Sequence, residues 1–251
     1  MILSDLQGVN KPIHYYALDI AHQALTSSLA ELRERFVDCP AITITGLLGT
    51  YDDCIEWLPS LRQFGHQSVT ILWLGNSIGN SGSQGEASAF LRRFGGASKK
   101  AGLACQFIVS IDTCKDKGKI ARTYGSDTPE YVDLALNVLL AANKILGYKA
   151  FHVDDWETDN WMDEREQTLH TCLVPKRDIV ITLGLGEASS MSLAFKRGQR
   201  MQFNTTGKWR AESVADMSRR AGFFVRRMWQ DKAGDCGIFL LVQDEKQAED
   251  A

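Results

Sequence analysis

Short apolar runs and helix-spaced apolar positions alternate along the first half of the chain. His14 to Leu18 (HYYAL) is a strand-like run that closes on Asp19. Ala21, Leu25, Leu29 and Leu32 then recur at spacings of three and four, the mark of one helix face. Ala41 to Thr45 (AITIT), Val69 to Leu74 (VTILWL) and Cys105 to Ile111 (CQFIVSI) predict three further strands, with helices over 52–64 and 85–101 between them. Strands that alternate with helices imply parallel strands joined by crossovers, an open α/β sheet.

The pattern changes after Asp112. One long helix is predicted over 128–146, with Tyr131, Leu134, Ala135 and Val138 to Leu140 on its apolar face. The tryptophan-rich stretch HVDDWETDNW follows at 152–161, then two alternating segments near 168–174 and 178–183 that read as antiparallel strands. Residues 114–207 are therefore expected to form an α+β lobe inserted into a core made of 1–113 and 208–251. The second part of that core should hold a helix over 213–221, ended by Gly222, and a buried strand from Ile238 to Val242. The acidic tail beyond it is expected to fray.

Composition narrows the class without naming it. A chain of 251 residues that is 44% apolar has enough material for a full core. Its net charge of −3 gives no field that would steer it toward nucleic acid. Arg219, Arg220, Arg226 and Arg227, interleaved with Phe223, Phe224 and Met228, read as the solvated side of an amphipathic element. The six cysteines contain no C-x-x-C pair and suit reduced thiols in an intracellular protein. The first residues lack the basic and apolar regions of a signal peptide, and no run approaches the roughly 18–20 apolar residues of a membrane span. A cytoplasmic protein with neither nucleic-acid nor membrane partners is the expectation; the oligomeric state is open. His152, Asp154 and Asp155 lack a further ligand at metal spacing and read as a surface loop. Hydrolase elbows, phosphate-binding loops and kinase motifs do not occur.

In an open α/β sheet, ligands bind beyond the carboxyl ends of the strands. Three strand ends therefore hold the candidate chemistry. Asp19 has the place of an acid that accepts hydrogen bonds from ribose hydroxyls, or of a residue that starts the next helix. Gly49, Thr50 and Tyr51 either let a flat ring approach the backbone or form a glycine turn with a Thr N-cap. WLGNSIGNS places Gly75, Asn76, Ser77, Gly79 and Asn80 after a buried strand, a loop able to lie along a cofactor and present Asn80, or a plain loop.

Taken in order, YYALDIAHQAL, GLLGTYDDCIEWL, ILWLGNSIGN, EASAFL, IDTCKDKGKIARTY, ANKILG, LVPKRDI, AGFFVRRMW and GIFLLV resemble the histidine-specific methyltransferase-like family. That family includes the Nα-histidine methylating enzymes of ergothioneine biosynthesis and the fungal dimethylallyltryptophan N-methyltransferases. The resemblance covers nearly the whole chain. It implies a Rossmann-like domain using S-adenosyl-L-methionine, with an inserted substrate lobe, acting on the amine of a small molecule. Position by position it assigns Asp19 to the ribose, Thr50 and Tyr51 to the adenine, and Gly75, Asn76 and Ser77 to the methionine portion. Asn80 and Tyr124 would hold the amine and carboxylate of an amino acid, as the catalytic pair. Thr206, in NTTGKW, falls where the family has a substrate-contacting Ser.

Two departures qualify what the resemblance implies. The family's first strand and glycine-rich loop precede the helix that leads into Asp19, and neither has a counterpart here, so an inactive remnant is one alternative. The histidine enzymes also carry a Glu two positions before their substrate Ser, where this chain has Asn204. An amide cannot give imidazole the charge-assisted bond that a carboxylate gives. The expectation is therefore an aromatic amino acid or alkaloid precursor, with histidine as the alternative substrate.

Overall fold

The computed structural model describes residues 2–9, 11–184 and 190–243. The acidic tail beyond Gln243 lies outside the described residues. The fold is mixed α/β, as expected, and divides into two compact units, 1–69 with 96–104 and 70–95 with 105–251.

The first unit opens with the short helix α1 (Ile2–Leu6) and the strand β1 (Ile13–Asp19), followed by α2 (His22–Arg35) and β2 (Ile42–Leu48). β1 and β2 pair in parallel, from Ile13 opposite Ile42 to Asp19 opposite Leu48. Alternation along β1 sends successive side chains to opposite faces. Ile13 and Tyr15 join Leu3, Leu32, Phe36 and Ile42 in an apolar cluster. His14 and Tyr16 face the other way, stacked with ring centroids 4.0 Å apart. His14 meets the Thr45 hydroxyl at 2.8 Å, and Tyr16 lies 3.2 Å from His66 Nε2. Burial, and secondarily the neighbouring His66, lowers the His14 pKa from its ordinary value.

The helix expected over 52–64 is two helices, α3 (Tyr51–Trp57) and α4 (Ser60–Gln63). Pro59 explains the break: it has no N–H to donate and crowds the carbonyl of the preceding turn.

The second unit carries a four-stranded sheet in the order β10-β11-β4-β3. Its strands are β3 (Ser68–Trp73), β4 (Ala104–Asp112), β10 (Phe224–Gln230) and β11 (Cys236–Val242), the last antiparallel to both neighbours. Phe107 of β4 packs edge-on against Phe223 and Phe94, the latter from α5 (Gln84–Lys100), and both Phe107 and Phe223 are fully buried. The chain then forms α6 (Lys117–Tyr124), α7 (Pro129–Leu146), β5 (Trp156–Asp163), β6 (Thr168–Pro175), β7 (Ile179–Gly184), β8 (Ser190–Phe195), β9 (Met201–Gly207) and α8 (Ala211–Arg220).

Residues 168–174 and 178–183 do form strands, but they do not pair with each other. β6 lies between β5 and β9, antiparallel to both, and β7 pairs with β8. Trp156, Leu173 and Ile181 pack with Ala135 and Leu139 of α7 into one core. Trp156 is buried, so the tryptophan-rich stretch is a strand from that residue onward and a surface 3-10 turn only at 153–155. Helix α7 buries Ala135 and Leu139 and exposes Leu134, Val138 and Leu140, so its apolar surface is wider than the face it packs.

Candidate functional site

In the first unit the ends of β1 and β2 lie side by side. The Gly49 N–H donates to the Asp19 carbonyl at 3.1 Å, which brings Asp19 next to the Gly49–Thr50–Tyr51 turn. One Asp19 carboxylate oxygen accepts from the Ala21 N–H at 2.8 Å and so shapes the entry to α2. Thr50 is the N-cap of α3 in a complete capping box. Its hydroxyl donates to the Asp53 carboxylate at 2.7 Å and accepts from the Asp53 N–H at 3.2 Å. The Thr50 N–H donates to the same carboxylate at 2.7 Å. These bonds hold the Asp53 carboxyl below its ordinary pKa, with the Thr50 backbone the main cause. The Thr50 hydroxyl is thus committed to its own helix, and Tyr51, the first residue of that helix, is exposed.

In the second unit the loop after β3 takes its shape from segments far away in sequence. Asn76 is left-handed at φ 60°, a conformation that Asn tolerates better than most residues. Its N–H donates to Ser110 Oγ at 3.2 Å, and its carboxamide oxygen accepts from the Asp112 N–H at 3.0 Å. Both contacts tie the loop to the end of β4. Gly79 faces the end of β9: a Cβ there would stand 3.1 Å from the Gly207 nitrogen. Gly207 is hemmed in from the other side, where a Cβ would fall 2.6 Å from the buried Trp209 ring. Gly79 therefore lets the loop close onto the backbone of β9, and Gly207 lets that backbone pack against Trp209. Asn80 is exposed, its carbonyl receiving the Thr205 hydroxyl at 3.5 Å. Gly75 (φ 77°) has open space where a side chain would stand, and Ser77 Oγ reaches back to the Leu74 carbonyl at 3.4 Å.

Tyr124, the last residue of α6, is fixed at three points. Asn160 of β5 donates to its carbonyl, Tyr131 of α7 packs edge-on at 5.4 Å, and Lys208 Nζ lies 3.0 Å from its hydroxyl. Lys208 also pairs with the carboxylate of Asp112 at the end of β4. Burial pushes the Tyr131 phenol up from its ordinary pKa, and its hydroxyl donates to Thr171 Oγ1 at 2.7 Å. Beside Tyr124 and Lys208 opens a cavity of about 440 Å³, whose apolar wall includes Ile120, Met162 and Leu169 and whose polar lining includes Asn160 and Arg210.

The second unit therefore gathers Asn76, Asn80 and Tyr124 around the ends of β3, β4 and β9. Thr206 is buried on β9 opposite Leu169, one position from the Thr205 that meets Asn80. Asn204 is exposed, opposite Thr171. Neither lines the cavity that Tyr124 lines. Sequence reasoning missed Lys208 and Asp112. The available signal was a lysine between Gly207 and Trp209, two residues that pack tightly, and an acid that closes a strand.

The cavity is lined by Tyr124 and Lys208 but not by Gly75, Asn76, Ser77 or Asn80, and its size is that of a small-molecule site. Residues 1–243 match the family described as histidine-specific, SAM-dependent methyltransferases, and the chain belongs to that family. Among curated relatives, the N-methyltransferase benX of Aspergillus terreus is 34% identical over 96% of this chain and 66% of its own length. The N-methyltransferase dtpB of Aspergillus flavus is 29% identical over 92% of this chain and 63% of its own. The 4-dimethylallyltryptophan N-methyltransferase easF of Epichloe festucae var. lolii is 27% identical over 96% of this chain and 71% of its own. The chain thus spans about two thirds of the length of these relatives.

Proposed function

We propose that the protein is an N-methyltransferase that uses S-adenosyl-L-methionine and acts on the amine of an amino acid or an aromatic alkaloid precursor of the dimethylallyltryptophan kind, in secondary metabolism. One observation carries the reading. In a chain of this methyltransferase family, Tyr124, its hydroxyl pinned by Lys208, lines a cavity of about 440 Å³, within the range of roughly 300–1,000 Å³ typical of small-molecule sites. The names of its relatives support the same reaction class. A cytoplasmic location goes with this reading and rests on the scattered free thiols.

The residues present suit the parts of the cofactor. Asp19 keeps one carboxylate oxygen clear of the Ala21 bond, as acceptance from a ribose hydroxyl requires. The Thr50–Tyr51 turn beside it is assigned the adenine, with the Tyr51 ring rather than the capped Thr50 hydroxyl as its main contact. Gly75 offers bare backbone, and with Asn76 and Ser77 is assigned the methionine portion. When bound, S-adenosyl-L-methionine supplies an electrophilic methyl group. The chain's own contribution is position: Asn80 and Tyr124 hold the amine and carboxylate so that the nitrogen lone pair keeps one direction. Asn204 and Thr206 are assigned the remainder of the substrate. No strong base is needed if the amine arrives neutral or releases its proton to water.

Calorimetry with S-adenosylmethionine and S-adenosylhomocysteine tests the reading. Saturable heat is expected, and none at millimolar ligand favours a non-catalytic remnant. A methyl-transfer assay against histidine, tryptophan and prenylated tryptophan then tests the substrate class. Activity confined to histidine would overturn the aromatic assignment.

A further inference from the structure

Lys208 is the most deeply buried charge of the second unit's site, its side chain 2% exposed. An ammonium has only donors to offer. One goes to the Asp112 carboxylate and one to the Tyr124 hydroxyl oxygen at 3.0 Å, and Nζ stands 4.3 Å from the centre of the Tyr124 ring. A phenol that accepts from an ammonium must turn its own proton elsewhere. Tyr124 and Lys208 are both among the residues that line the cavity. Asp112 in turn is held by its own strand end: its N–H donates to Asn76, and its second carboxylate oxygen accepts from the Cys114 N–H at 3.0 Å. The lysine therefore cannot swing toward solvent without leaving a carboxylate unpaired.

We propose that Lys208, backed by Asp112, is a positioning residue that commits the Tyr124 hydroxyl to donate into the cavity. This rests on the function proposed above and deepens it. The group that meets Tyr124 must be an acceptor, so the site favours amines that carry a carboxylate over the corresponding amines without one. The charge of Lys208 is already balanced by Asp112, and the preference arises from the direction of one hydrogen bond rather than from net charge.

The test compares L-tryptophan with tryptamine as calorimetric probes of the full chain, with S-adenosylhomocysteine present. Lys208→Met should weaken tryptophan binding about ten- to a hundredfold, as expected for a lost hydrogen bond to a charged group, and leave tryptamine binding within about twofold. Tyr124→Phe should do the same, and the double variant should lose no more than Tyr124→Phe alone. Lys208→Arg should recover part of the loss. Because Lys208→Met strands Asp112, the paired variant Lys208→Met with Asp112→Asn is measured beside it. Equal losses for both probes, or additive losses in the double variant, would overturn the proposal. A readout independent of binding uses 3-fluorotyrosine labelling. The fluorine resonance that vanishes in Tyr124→Phe should shift in Lys208→Met, while those of Tyr15, Tyr16 and Tyr51 stay in place. If the chain binds neither probe, the function reading fails, and the Tyr124 resonance still decides whether Lys208 positions that ring.

Discussion

Two strand-end loops of this protein are built on opposite plans. The turn after β2 is complete within itself: Thr50 and Asp53 satisfy each other, and every bond in the capping box spans three residues. The loop after β3 is unfinished on its own. Asn76 is satisfied by Ser110 and Asp112, and Gly79 by the bare backbone of Gly207. A local motif of the first kind holds its shape wherever the chain carries it. A loop of the second kind reports on whether its partners have arrived, and candidate substrate residues Asn80 and Tyr124 sit beside those partners.

Disturbing the tight packing at the end of β9, on which the β3 loop rests, should have the largest effect. Gly207→Ala places a methyl group against the fully buried Trp209 ring, and overpacking of this kind costs about 1–3 kcal/mol. Urea unfolding should register that loss, with Gly79→Ala milder because an Asn side chain can shift part of the way. Asn76→Ala removes both a left-handed residue and an acceptor for the Asp112 N–H, for about 1–2 kcal/mol. Asn76→Gly should cost less, since it keeps the backbone conformation; the gap between the two variants measures the left-handed backbone, and the loss common to both measures the hydrogen bond.

Thr50→Ala sharpens the contrast from the other side. Loss of an N-cap costs about 1 kcal/mol, and the damage should stay in the first unit. Amide exchange should quicken over α3 and remain unchanged over 75–80.

The smallest effect is one of pH. His14 has a lowered pKa in the folded protein, so between that value and the ordinary 6.5 the unfolded chain binds more protons than the folded one. Stability should therefore fall as pH drops from about 6.5 through the folded pKa. His14→Gln should flatten that part of a melting-temperature profile. An unchanged profile would remove His14 as the cause.

What the sequence made legible follows the same division. β1 to β4, α2, α5 and α7 were readable because their periodicity is local. The Thr50 capping box was readable for the same reason, as one of two alternatives that the residues left open. Pairing was not readable: β6 and β7 are neighbours in sequence yet join different sheets, because β9 returns to β6 from beyond both of them. β5 and β10 escaped notice since their alternation is broken by charged and polar residues, as in Arg226 and Arg227 on β10. Lys208 escaped for a related reason. A lysine near a strand end normally reaches solvent, and the distant Asp112 and Tyr124 make its burial tolerable. The family resemblance gave Asn80 and Tyr124 their assignments, but it was silent on what holds Tyr124 still.

The meeting of the Asn80 carbonyl with Thr205, 125 residues apart, also sets an order of events. Closing so long a stretch of chain is entropically costly and belongs to the slow, non-local part of folding. A ribosome will have released the β3 loop long before β9 exists to receive it. During that interval the α3 turn can already be formed, whereas the segment that bears Asn80 has only its β4 contacts to rest on until the residues beyond 200 arrive.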